Sequence, residues 1–245
     1  MTKILRGRRY MENLAFIEHI VSEGVGAFRT SYDVSEVTVD PEYRELNIGG
    51  MIFRTRQYDV SGVGNLTVMT CANNANMQSL SFVVTPYYKN IPMLSLDYIL
   101  MGPGRMVINE TYDLVSEKAA DYEEITERFR SVMEKVSLDD LPQNPRWYDS
   151  LRSACACKKG TSNDDPVIVE LFTRLINAFI GSEKAAPAFG SEAERTSKWN
   201  CTSEYADRLV SEGGVAADNF KRALGDDVTR KFFRQVFFGC DKYDI

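Results

Sequence analysis

A chain of 245 residues is long enough for one sizeable domain, and its 44% hydrophobic and 26% charged composition is that of a globular fold rather than a disordered segment. No apolar run approaches the ~18 residues of a membrane-spanning helix. The formal charge of -6, from 35 acids against 29 bases, gives no support for a basic nucleic-acid-binding surface.

In chain order, residues 1–9 carry Lys3, Arg6, Arg8 and Arg9 without a following apolar segment, and are expected to form a mobile basic lead rather than a secretory signal. Leu14, Phe16, Ile17, Ile20 and Val21 recur at helical spacing and predict a helix over 10–28, broken at Gly24 to Gly26. Residues 36–115 change to short β-rich runs: Leu46 to Tyr58, Leu66 to Ala72, Gln78 to Tyr87, Met93 to Met101 and Arg105 to Leu114. The turns between them (Ser61 to Gly64, Asn73 to Asn76, Lys89 to Pro92, Gly102 to Gly104) are too short for helical crossovers, so the strands form an antiparallel meander. Helical patterns follow over Ser116 to Val136, from Pro166 onward, and over Lys198 to Ser211, Ala216 to Leu224 and Asp226 to Phe238. Ser182 to Thr196 reads as part loop. One helix, five or six strands and then helices, with no repeat or linker, predict a single α+β domain over 1–245.

Charge is concentrated between Glu110 and Asp140, where ten acids oppose four bases, a balance of -6 that leaves 25 of each elsewhere. This reads as one solvated helical face. Five irregularly spaced cysteines at 71, 155, 157, 201 and 240 suit a reducing, cytoplasm-like compartment rather than a disulfide framework. Cys155-Ala-Cys157 has no second metal-binding pair in the sequence and reads as two thiols without a metal.

A single histidine, His19, restricts the chemistry: multi-histidine zinc sites are excluded and Ser-His-Asp catalysis or histidine-ligated iron would rest on this one residue, which lies beside the apolar stripe of the first helix and reads as a capped or surface histidine. Any enzymatic chemistry falls to carboxylates, hydroxyls or an external reductant. Asp97, inside the apolar strand Met93 to Leu100, either faces solvent, is paired structurally, or is buried and held protonated near neutral pH.

Ile91-Pro92-Met93-Leu94-Ser95-Leu96-Asp97, running into Gly102-Pro103-Gly104-Arg105 and Val107-Ile108-Asn109, resembles the central hairpin of the ferredoxin-dependent bilin reductases. Phe220 to Asp227 with Phe232 to Phe238 resembles that family's closing helix pair. The resemblance implies a three-layer α/β/α sandwich that holds a linear tetrapyrrole between the sheet and the C-terminal helices. It implies a monomer with no bound flavin or metal, which takes single electrons from reduced ferredoxin and supplies protons from its side chains. Asp97 would be the central proton donor. Asn109 would hydrogen-bond a pyrrole ring or serve as an inward structural amide. Arg105, Lys221 and Arg222 are candidate cations for the propionates. A basic docking face for ferredoxin would come from Lys3, Arg6, Arg8 and Arg9 with Arg230, Lys231 and Arg234, the acidic helix lying away from it.

The sequence departs from the phycocyanobilin-forming branch, whose histidine has no counterpart in Gln78 to Phe82, and whose glutamate has none in Val68 to Cys71. It stands nearer the phycoerythrobilin-type branches, in which a second acid precedes the last helices; Glu212 is the carboxylate in that neighbourhood, and a helix-end surface acid is its plainer reading. The red chlorophyll catabolite reductases are a narrower alternative with the same sandwich. A non-catalytic tetrapyrrole carrier, and an interaction module using its acidic helix, are the rivals from other classes. The expected location is the cytoplasm, or the plastid stroma for a eukaryotic mature chain.

Overall fold

The structure, a computed structural model, describes residues 3–73, 77–214 and 216–244. Asn74 to Asn76 of one expected turn lie outside the described residues, as do Met1, Thr2 and the side chains of Lys3 and Arg6 from the basic lead. Helix α1 covers Lys3–Ser31, starting seven residues earlier than the apolar periodicity and ending three later. Gly24 does not break it. A Cβ there would come within 2.7 Å of the Phe82 and Phe172 rings, so glycine is what lets the helix lie close against the sheet.

Nine strands form one sheet, with every pairing antiparallel: β1 (Val34–Val37), β2 (Glu45–Ile48), β3 (Met51–Val60), β4 (Gly64–Asn73), β5 (Met77–Pro86), β6 (Met93–Met101), β7 (Gly104–Tyr112), β8 (Asp139–Asp140) and β9 (Arg152–Thr161). Their order is β1-β3-β4-β5-β6-β7-β9-β8, with β2 also on β3. The run 46–58 is two strands, because Gly49 and Gly50 both take positive φ and turn the chain. Three strands escape the sequence reading. β1 and β8 are very short, and β9, Arg-Ser-Ala-Cys-Ala-Cys-Lys-Lys-Gly-Thr, has no aromatic residue and only its last residue is β-branched, so little in it marks a strand. It pairs along the whole of β7 all the same.

A short helix α2 (Pro41–Arg44) precedes β2, and five more follow the meander: α3 (Tyr122–Glu134), α4 (Asp165–Ala185), α5 (Glu192–Ser211), α6 (Ala217–Leu224) and α7 (Asp226–Lys231). The expected loop at 182–196 shrinks to a few residues. α4 continues to Ala185, and α5 opens early on a capping box in which Ser191 Oγ accepts from the Glu194 N–H and the Glu194 carboxylate accepts from the Ser191 N–H. After α7 the chain widens into a π-helical turn, Phe232–Phe237.

Strand side chains alternate between two cores. Ile20, Phe28, Phe82, Leu96, Phe129, Phe172 and Phe179 lie between the sheet and α1, α3 and α4. Burial of one such side chain contributes about 1.5–3 kcal/mol. On the other face, Phe53, Val83, Tyr112, Phe220, Phe232 and Phe233 pack under α2, α5, α6 and α7. The expected three-layer α/β/α sandwich is therefore the observed architecture.

Hydrogen bonds dock the second layer. The π-turn leaves backbone carbonyls without helical partners, and buried side chains of β3 and β4 satisfy them. Gln57 Nε2 donates to Gln235 O at 3.0 Å, Thr67 Oγ1 to Val236 O at 2.9 Å and Asn65 Nδ2 to Phe237 O at 3.1 Å. A buried amide left without its partner costs about 1–3 kcal/mol, so this seam sets the height of the last helix over the sheet.

Candidate active site

Between the sheet and α5–α7 the second core is incomplete. The gap is an open cavity, about 1130 Å³ with the solvent of its mouth counted in. The centre of its floor is polar, with Ser79 and Ser81 from β5, Ser95 and Asp97 from β6 and Glu110 from β7, and apolar side chains such as Met69, Met93 and Ile108 surround it. Its roof is apolar, with Tyr205 and Leu209 from α5 and Phe233 and Phe237 from the π-turn. Arg146, Tyr148 and Arg152 stand at its side. Serines and carboxylates on a sheet face that elsewhere carries Met, Val and Phe leave room and supply hydrogen bonds where apolar side chains would have closed the core.

Asp97 lies at the centre of this floor. Ser81, directly opposite on β5, donates a short hydrogen bond to Asp97 Oδ1, and Ser95 Oγ donates to Oδ2 at 2.9 Å. Burial disfavours the ionised form and pushes the Asp97 carboxyl up to about 6; the two serine hydroxyls pull it down, and the negative Glu110 pushes it up again. A carboxylic acid that titrates near 6, exposed only to a cavity, can give a proton to a bound molecule and be reprotonated at near-neutral pH.

Glu110, which the sequence reading assigned to the acidic helical face, is a second cavity carboxylate on β7. Arg152 Nη1 donates to its Oε1 at 2.8 Å and Tyr112 Oη to its Oε2 at 2.6 Å. Of the ten acids between 110 and 140, only Glu123, Glu124, Glu127 and Glu134 lie on α3. A clear signal for Glu110 lies in the turn. A two-residue connection, Gly102-Pro103, makes Met101 face Gly104 and therefore Asp97 face Ile108 and Ser95 face Glu110; residues directly opposite share a face.

The same arithmetic removes two other candidates from the cavity. Asn109 is opposite Leu96 and points into the α1/α4 core, fully buried, with neither amide atom hydrogen-bonded. Arg105 faces that side too and is 3% exposed. Its guanidinium holds Asp165 through two bonds, of 2.7 and 3.0 Å, donates to Gly102 O and Gly104 O, and lies over the Phe16 ring. Arg105 pins the hairpin to α4 and has no donor directed at the cavity.

Glu212, Lys221 and Arg222 share a separate surface hollow. Glu212 ends α5 and pairs with Arg208 at 2.5 Å, and Lys221 Nζ pairs with Asp226 at 3.1 Å. None of the three lines the cavity. The expected basic docking face is also divided: α1, with Arg8 and Arg9, packs in one layer and α7 in the other, while Arg230 and Arg234 are paired to Asp207. The acidic α3 shares the layer of α1 rather than lying opposite it. Arg146 is the rim cation that sequence reasoning missed; it is exposed and has no carboxylate partner among the described residues.

A large antiparallel sheet sandwiched between helices, with an acid-floored cavity under the C-terminal helices, defines the fold class. Among solved structures the chain matches phytochromobilin synthase from tomato, determined in complex with biliverdin, with a TM-score of 0.72 over 93% of this chain and 85% of that one, at 14% sequence identity. That likeness establishes a shared fold. No protein-family model and no curated protein matches the sequence.

Proposed function

We propose that this chain is a bilin reductase: it binds a linear tetrapyrrole such as biliverdin in the cavity over Asp97 and reduces it with electrons delivered by reduced ferredoxin. One observation carries the reading. A half-buried carboxyl, raised to about 6 and held by Ser81 and Ser95, sits at the floor of the cavity under the C-terminal helices, in a fold shared with a protein solved in complex with biliverdin.

Each reduction step needs one electron and one proton. Asp97 gives the proton to the pyrrole system and recovers it from solvent through the cavity mouth, while the apolar roof excludes bulk water from the reduced pigment. Arg146 at the rim suits a propionate, since a guanidinium offers two parallel donors to a carboxylate. In this reading the enzyme works as a monomer, in a cytoplasmic or stromal compartment, and no flavin or metal takes part in the reduction. Ser81 across from Asp97, where the phycocyanobilin-forming branch would carry its histidine, supports a place nearer the phycoerythrobilin-type branches.

The decisive experiment mixes the protein with biliverdin, records the absorption spectrum, and then adds reduced ferredoxin. A shifted spectrum followed by product supports the reductase. A shift with no reduction turns the reading to a pigment carrier, and no shift overturns it. Asp97→Asn should retain the shifted spectrum and lose about 10²–10⁴-fold in turnover, the range a general acid contributes; full turnover in that variant excludes Asp97 as the acid.

A further inference from the structure

At the side of the cavity, β9 brings two thiols, which the proposed reduction does not use, up to Glu110, the cavity's second carboxylate. Cys155 and Cys157 are two residues apart on a strand and so point to the same face, with their sulfurs 3.4 Å apart. Glu110 lies directly opposite Cys155 in the β7–β9 register, and Cys155 Sγ is 3.8 Å from Glu110 Oε1. One ligand atom from each of the three side chains lies within 4.8 Å of the other two.

We propose that Cys155, Cys157 and Glu110 form a binding site for a thiophilic divalent ion, Zn²⁺ or its congener Cd²⁺, with the fourth position left to water or an exchangeable ligand. Zinc takes thiolate at ~2.3 Å and carboxylate at ~2.0–2.2 Å in a tetrahedron, so neighbouring ligand atoms lie roughly 3.3–3.8 Å apart. Two of the donor separations, 3.4 and 3.8 Å, already have that spacing, and the third is within 4.8 Å. Two sulfurs select a soft or borderline ion over Mg²⁺ or Ca²⁺.

The surroundings complete the site. Cys155 is exposed and Cys157 partly so, which gives a hydrated ion access. Glu110 Oε1 accepts one bond from Arg152 and keeps a further lone pair for a metal, while Tyr112 fixes the other oxygen. Arg152 Nη1 is also 3.7 Å from Cys155 Sγ. Two thiolates and a carboxylate carry -3, the ion +2 and Arg152 +1, so the assembly is neutral. Hydrogen bonding of a ligand by an outer partner is the usual way such a site is oriented. In the sequence alone the cysteine pair lacked its third donor; the β7–β9 pairing supplies it from 45 residues away.

The test is a titration of the reduced, metal-free full chain with Cd²⁺ under anaerobic conditions, without bilin, following the sulfur-to-cadmium charge-transfer absorption and the thermal melt. One ion per chain with the absorption band and a raised Tm is expected; excess Zn²⁺ should displace the cadmium and remove the band while the Tm stays raised. Glu110→Gln should weaken binding about tenfold or more while keeping the band. The double variant Cys155→Ser with Cys157→Ser should lose both the band and the Tm increase, and its own melt reports whether it is folded. Cys201→Ser should bind as the parent does. A band that persists in the folded double variant, or unchanged affinity in Glu110→Gln, overturns the site. Because no pigment is present, the result is independent of whether the chain reduces bilins.

Discussion

The two faces of the sheet solve opposite problems with the same strands. On the α1/α3/α4 face, alternate residues of β5 and β6 are Leu80, Phe82, Val84, Leu94, Leu96 and Tyr98, and the packing closes completely. On the α5–α7 face the intervening residues include Ser79, Ser81, Ser95 and Asp97, and the packing stops short. Charge is handled just as differently. Arg105, on the closed face, is locked to Asp165 and to backbone carbonyls, whereas Arg146, at the mouth of the cavity, has no carboxylate partner among the described residues. The closed face holds its charge in a buried ion pair, while the open face leaves a guanidinium at its rim available to a bound anion.

The contrast can be broken or sharpened by substitution. Turnover loss in Asp97→Asn is the largest expected effect. Next, Phe172→Ala should empty the closed core, where its ring meets Phe82 edge-on at 5.3 Å, and lower unfolding free energy by about 3–5 kcal/mol in denaturant titration. Its biliverdin affinity, corrected for unfolded chain, should be that of the parent.

Asp97→Asn should have the reverse sign in stability. The folded carboxyl keeps its proton up to about 6, the unfolded one only to about 4, so between these values the folded chain holds more protons. Stability associated with the neutral acid is complete below about pH 4 and falls as pH rises through 6. Above that the ionised group costs on the order of 2 kcal/mol, lessened by its opening on the cavity. The variant should therefore melt higher than the parent near pH 8 and equally near pH 4; a constant difference at both would remove titration of Asp97 as its cause.

Smaller still, Arg146→Ala should weaken biliverdin binding by about tenfold or less, the scale of ~1 kcal/mol for a partly exposed charge pair, with a lesser effect at high salt. Smallest is Glu212→Gln, which should change stability by less than ~0.5 kcal/mol and leave pigment binding unaltered, since its pair with Arg208 is on the surface. A large loss of turnover in Glu212→Gln would return it to the reaction.

Much of the scaffold was legible from local pattern. The meander from Met51 to Tyr112 shows as β-rich runs between short turns, and the amphipathic stripes of α3, α4 and α5 follow helical spacing. β9 was not legible, because alanine, cysteine and lysine carry no strand preference; it forms because β7 offers a free edge. Gly24 was read by its propensity as a breaker, while its actual reason is the approach of two rings from elsewhere in the chain.

The site divides the same way. Asp97 stood out because a carboxylate in an apolar strand demands an explanation. Arg105 was conspicuous for being near it in sequence, yet adjacent strand residues project to opposite faces, and an odd number of steps separates Arg105 from the cavity residues Ile108 and Tyr112. The last helices gave no such periodicity to constrain Glu212, whose place depends on how α5 ends.

By itself, then, the sequence determined the antiparallel meander, the helices that follow it and the central hairpin with an acid in an apolar strand, because each follows from residue type and short-range spacing. Only the tertiary structure decided what comes to that hairpin from far along the chain. Ser81 and Glu110 reach Asp97 through the hairpins of the meander. Arg146, Arg152 and Tyr205 reach the same cavity from beyond it, and no local run of residues specifies where a later loop, strand and helix pack.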